Sequence, residues 1–162
     1  YGFDNLNPFR IDYYQRQKKF ENQIKNIASI YTPSNSKQIN YEKINYYKHD
    51  LNLMFNSFKF FVCPEDITGM TSRNMVEGMA CGCIYFAREN LSYFQDYKME
   101  PYIHYIPFQG SLESLVSEWQ KVKNNNELLI KISNSSMRLA NKLGFKEVED
   151  IFRKKLKKLA SN

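Results

Sequence analysis

The sequence predicts an α/β fold, a parallel sheet flanked by helices and closed by a helical C-terminal segment. Three observations predict it. Two short and almost continuous apolar runs, FKFFVC (58–63) and CIYFA (83–87), stand either side of a stretch with helical spacing, as strands buried on both faces require. Strand-like and helix-like segments alternate up to residue 108, which is the pattern of strand–helix–strand units. Beyond that point come three apolar stripes of helical period with no strand between them.

Taken in order, Tyr13, Phe20, Ile24 and Ile27 predict an amphipathic helix over 11–27. ASIYT (28–32) predicts a short strand, and Pro33 with the polar run to Asn40 a loop. Tyr47, Leu51, Met54 and Phe55 predict a second helix, ahead of the strand at 58–63. Pro64 closes that strand. A loop over 64–70 leads into a helix over 72–81 that stops on glycine, and the strand 83–87 follows. A short helix at 91–97 and a strand at 102–108 (YIHYIPF) complete the alternating part. Leu112, Leu115, Val116 and Trp119 mark the next helix. Leu128, Ile132, Leu139 and Leu143 mark another, and Val148, Ile151, Phe152, Leu156 and Leu159 the last. Ser111 with Ser114, and Asn126, are expected to cap helices, and Gly144 to end one. The first strand of such a sheet should precede the helix at 11–27, where only Tyr1 to Phe3 are left for it. The chain also opens on Tyr and not Met, so it is expected to be one domain cut from a longer protein.

Composition narrows the classes of function. The 162 residues suit one domain with a full core. Hydrophobic residues at 43% and aromatics at 15% exclude a disordered chain. No apolar run is long enough to span a bilayer, and no leader of the secretory kind opens the chain. Cys81-Gly82-Cys83, Cys63 and the two histidines, His49 and His104, do not fall at zinc-ligand spacing. The cysteines read as reduced, buried small hydrophobes, which suits a cytoplasmic protein. No Asp-x-Asp pair is present to hold a divalent ion, so no metal is expected. The net charge of +6 leaves two readings, a lysine-rich solvated surface or a partner bearing phosphate. In FRKKLKKLAS (152–161) the lysines fall on the polar side of an apolar-striped helix. That is a solvated face rather than a nucleic-acid site, while an anionic membrane surface stays open as a partner.

The chemistry concentrates in ITGMTSRNMVEGMACGCIYFA (67–87). Ligands of open parallel sheets bind beyond the carboxyl ends of the strands, and the loop after strand 58–63 ends there. The next helix then aims its N-terminus, with free N–H groups and a positive dipole end, at an anion such as a diphosphate. Thr71 or Ser72 can cap that helix or bond a phosphate, and Gly69 lets backbone approach a ligand closely. Arg73 has the planar fork that fits phosphate oxygens. Glu77 lies four residues on, on the same face. By spacing alone an exposed ion pair, worth about 0.3–0.5 kcal/mol, is the simpler reading. The apolar company of Met75, Val76, Met79 and Ala80 argues for a specific partner, and two ribose hydroxyls would suit a carboxylate. Arg10, after Asn7-Pro8-Phe9, and Arg16 with Lys18 and Lys19 form a second basic cluster. A solvated helix face is the simpler reading of the latter three. A base could stack near Tyr31 to Ser34.

SRNMVEGMACGCIYFA resembles the R-x-x-x-E-x-[MLA]-A-C-G-x-x-[VIL] segment of GT-B glycosyltransferases, in their C-terminal nucleotide-sugar-binding half. It looks closest to the glycosyl transferases group 1 or spore-maturation-like proteins. YYKHDLNLMFNSFKFFVCP is similar to the helix and strand before that motif, and YIHYIPFQGSLESLVSEWQKVKNNNELLIKISNSSMRLA to the elements after it, so the resemblance covers about residues 10–143. It implies a Rossmann-like donor domain that binds a nucleoside-diphosphate sugar, with UDP or GDP as the nucleotide, and transfers the sugar to an unknown acceptor. Glu77 would contact the ribose, Arg73 the diphosphate, and Arg10 would approach the phosphates. Many members carry an earlier glutamate eight positions before the second, which contacts the sugar. Here that position is Gly69, with Glu65 and Asp66 nearby, so either one of these takes over or the sugar contacts differ. The resemblance implies no cofactor beyond the donor and no nucleic acid. It implies an N-terminal acceptor domain outside this chain, so the isolated chain is expected not to transfer sugar alone. A non-catalytic nucleotide- or protein-binding module of the same fold is the alternative.

Overall fold

The computed structural model describes residues 8–20, 51–64, 73–89 and 93–160. Within them lie helix α1 (Pro8–Arg16), continued by a 3-10 turn (Gln17–Phe20), α2 (Leu51–Asn56), strand β1 (Phe60–Val62) and α3 (Arg73–Ala80). There follow β2 (Ile84–Arg88), α4 (Tyr93–Asp96), β3 (Ile106–Phe108), α5 (Leu112–Val122), α6 (Asn126–Lys142) and α7 (Phe145–Ala160). The predicted strand at 28–32, the latter part of helix 11–27, the start of the second helix at Tyr47 and the strand sought at Tyr1 to Phe3 lie outside the described residues.

The strands form a parallel sheet in the order β1-β2-β3. Phe60 sits opposite Ile84, and Phe86 opposite Ile106. β2 is central and buried at Ile84, Tyr85, Phe86 and Ala87, which explains why it reads as an unbroken apolar run. Successive residues point to opposite faces. Ile84, Phe86, Ile106 and Phe108 meet Phe9 of α1, Leu112, Leu115 and Val116 of α5, and Leu129 and Ile132 of α6. On the other face Tyr85 and Ala87 meet Met75 and Met79 of α3, Phe94 of α4 and Ala140 of α6. Helix α6 therefore serves both layers, crossing past the amino end of β2.

That crossing depends on how α3 ends. The Gly82 N–H bonds the Met79 carbonyl and the Cys83 N–H the Gly78 carbonyl, the paired bonds of a left-handed glycine cap. Gly82 has φ +79°, and a Cβ there would lie 3.3 Å from Met137 Sδ and from Ser133 Oγ. Ser133 Oγ donates to the Gly82 carbonyl at 2.8 Å. The glycine that stops the site helix thus also admits α6 against its end. The following residue, Cys83, is buried with its Sγ 2.8 Å from the Phe55 carbonyl. Burial, aided by Cys81, pushes its thiol up to about 11, so it stays protonated at neutral pH.

Three expectations shift. The first helix begins at Pro8 and not at residue 11, because proline's fixed φ suits the first helical position, so Arg10 lies in α1. Asn125, not Asn126, caps α6, accepting from the Leu128 N–H. The strand expected over 102–108 is confined to Ile106–Phe108. Its first half is a turn, in which Tyr102 takes φ +57° and the Tyr102 N–H bonds the Tyr105 carbonyl. Ser111 and Ser114 form the predicted cap, a reciprocal capping box.

His104 belongs to that turn, where its Nδ1 accepts the Glu100 N–H at 3.0 Å. Burial lowers its pKa, against a smaller opposing effect of Glu100. A depressed histidine contributes stability that is fully present above its unfolded value, near 6.5, and is lost as pH falls through the folded one. His104→Asn keeps an acceptor and removes the titration. The urea midpoint of the variant should therefore decline less on acidification below neutrality than that of the parent. Parallel declines would mean that the turn does not sense the imidazole's charge.

Candidate functional site

The carboxyl edge of the sheet is framed by Cys63 and Pro64 after β1, by Arg88 at the end of β2 with Glu89 after it, and by Gln109 to Leu112 after β3. Helix α3 ends at Ala80, and its glycine cap at Gly82 leads straight into the amino end of β2. Its N-terminus at Arg73 therefore faces the carboxyl edge. Arg73 to Glu77 rises roughly 6 Å, which sets Glu77 one turn back from the edge. Glu77 is half-buried on the helix that carries the fully buried Met75 and Met79, and its Oε2 is shut off from solvent. The predicted acid is thus placed on the helix that starts at the predicted edge. On the sheet face that Met75 and Met79 cover, Tyr85 stacks on Phe61 at 5.0 Å and donates its hydroxyl to the Cys63 carbonyl. Gly78 is a close approach too, since a Cβ there would lie 2.7 Å from the Phe61 ring.

Arg73 is the first residue of α3. Arg10 lies within α1. It follows Phe9, whose ring lies 5.0 Å from Phe108 at the carboxyl end of β3, so the backbone at Arg10 is close to the same edge. Glu65, Asp66, Gly69, Thr71, Ser72 and the stretch Tyr31 to Ser34 lie outside the described residues.

Helix α5 also starts at this edge, and its N-terminus is already taken. Asp12 Oδ2 accepts the Leu112 N–H at 2.8 Å, and Ser111 accepts from the Ser114 N–H. Arg16 binds Asp12 at 2.9 Å and also pairs with Glu113. Arg16, read from the sequence as part of a solvated helix face, thus also joins α1 to α5 through these two carboxylates. A protein carboxylate occupies the place at the start of α5 where an anion would otherwise sit.

Arg88 is a candidate that the sequence reading missed. It closes β2 at the carboxyl edge, its Nε is shut off from solvent, and its Cδ lies 3.0 Å from where a Cβ of Gly110 would stand. A cation ending an otherwise apolar strand was the available signal. At the opposite, amino edge a groove of about 240 Å³ is bordered by Lys59, Gly82, Asn126, Ser133 and Asn134. It is the seam along which α6 docks, and the Ser133 hydroxyl is engaged there with Gly82. Among the described residues no three His, Cys, Asp or Glu side chains converge as metal ligands, and no helix is long and apolar enough to cross a membrane. Comparison with known proteins adds no relative: no family model, curated protein or solved structure matches this chain.

Proposed function

We propose that this chain is the donor-binding domain of a glycosyltransferase of GT-B type, a Rossmann-like half that holds a nucleoside-diphosphate sugar. The observation that carries the reading is Glu77, a half-buried carboxylate one turn inside a helix whose N-terminus faces the carboxyl edge of a parallel sheet. The resemblance of residues 72–87 to the donor-binding segment supports the assignment of roles. Glu77 accepts hydroxyls of the ribose. Arg73 and the α3 dipole hold the diphosphate and stabilise charge on the leaving group, which is electrostatic catalysis that needs no metal. The acceptor and the catalytic base come from a domain outside this chain.

A second reading, a nucleotide-binding module without transferase activity, is favoured by one feature. Gly69 stands where the sugar-contacting glutamate of the resembled family is expected. Thermal unfolding of the chain with UDP, GDP, ADP and their sugar conjugates tests both. One nucleotide diphosphate should raise the melting temperature by mass action, and the rise should persist in EDTA. A further rise with one sugar conjugate favours the donor domain, whereas equal rises with and without sugar favour the module. No rise with any nucleotide rejects both.

A further inference from the structure

We propose that the C-terminal half of α7 is a membrane-surface element that seats this protein on anionic lipid. The observations are independent of the donor site. Phe152, Leu156 and Leu159 are spaced i, i+4, i+7 and so form one stripe, and they are 60%, 49% and 73% exposed. No described residue of α7 belongs to either core cluster, and no other described element packs extensively against it. Among the described residues, the stripe is therefore an apolar face against which no element packs extensively.

Charge decides what covers it. Residues 151–160 carry Arg153, Lys154, Lys155, Lys157 and Lys158 and no acid. The acids of α7, Glu147, Glu149 and Asp150, are confined to its first half. Glu149 is held there by Arg153, 2.9 Å from Nε and 2.6 Å from a terminal nitrogen. What remains is a cationic half-helix with an apolar stripe, and Lys154 and Lys157 are exposed. Laid in the interface of a bilayer, such a helix buries its stripe among the acyl chains while the lysine stems reach up to the headgroups. Anionic headgroups supply the opposite charge. A second copy of the chain fits less well. Three side chains on one helix fall far short of the roughly 800 Å² per partner of a stable interface. Nucleic acid would use the lysines and leave the stripe in water.

Flotation of the 162-residue chain with phosphatidylcholine vesicles, with and without phosphatidylserine, tests this. The chain should float with the anionic vesicles and remain behind with the neutral ones, and added salt should weaken the association. Lys154→Gln with Lys157→Gln should reduce it roughly tenfold or more, at about fivefold per cation. Phe152→Ser with Leu156→Ser and Leu159→Ser should abolish it while leaving the melting temperature unchanged, since all three side chains are exposed. The proposal fails if anionic vesicles leave the chain behind at low salt. It fails equally if the triple serine variant floats as well as the parent, which would reduce the association to charge alone. A vesicle-free dimer that the triple variant dissolves would assign the stripe to a second copy instead.

Discussion

Arg73→Ala and Glu77→Ala should each weaken binding of the cognate nucleoside diphosphate by roughly ten- to a hundredfold in calorimetric titration. Each truncation removes a charge-assisted hydrogen bond worth about 1.5–3 kcal/mol. The two losses differ in kind. Without Arg73, the diphosphate binds less tightly but the bare nucleoside hardly changes. Without Glu77, both weaken, and a 2′,3′-dideoxyribose analogue binds the variant and the parent almost equally, because the hydroxyls that the carboxylate accepts are gone. An i,i+4 surface pair predicts something else: a stability change of about 0.3–0.5 kcal/mol and unaltered affinity. Folded variants with parental affinity would leave α3 as scaffold and remove the main support for a donor site.

Gly82→Val should cost about 2–5 kcal/mol of folding stability. Two terms add. A side chain at φ +79° is strained by roughly 1–2 kcal/mol, and a β-branched one more so. The new atoms also meet Met137 and Ser133 at 3.3 Å, where overpacking costs about 1–3 kcal/mol. Gly144→Ala is the control. Its Cβ would meet only the end of the Glu147 side chain at 2.9 Å. That exposed side chain can swing away, so the change should stay within about 0.5 kcal/mol. Urea unfolding of both variants checks this, and equal midpoints would mean that the turn after α3 is not the fixed junction described.

Much of the alternating region was legible because its signals are local. FKFFVC and CIYFA announce strands by apolar continuity, and the structure places β1 and β2 there, β2 buried and β1 half-buried. Met75 and Met79 announce the buried face of α3 by their spacing, and both are fully buried. YIHYIPF misled because alternation is shared by a strand and by a turn whose residues are half-covered. The left-handed φ of Tyr102 leaves no trace in a residue type that seldom adopts it. The candidate site was legible to the same extent. Glu77 stood out as an acid in an apolar helix, whereas Arg88 did not stand out, because a charge after a strand is ordinarily a solvated one.

The sequence by itself determined where the chain is apolar at period two or near 3.6, where serine starts a helix and where glycine stops one. These depend on neighbours within a turn or two, so residue order contains them. Only the tertiary structure decided that Asp12 caps α5 across 100 residues, that Arg16 pairs with Asp12 and Glu113, and that α6 serves both layers. It also decided that Arg88 packs beside Gly110. Such pairings are fixed by which strands lie side by side, and burial then gives a polar contact between distant residues a strength that no local pattern in the chain encodes.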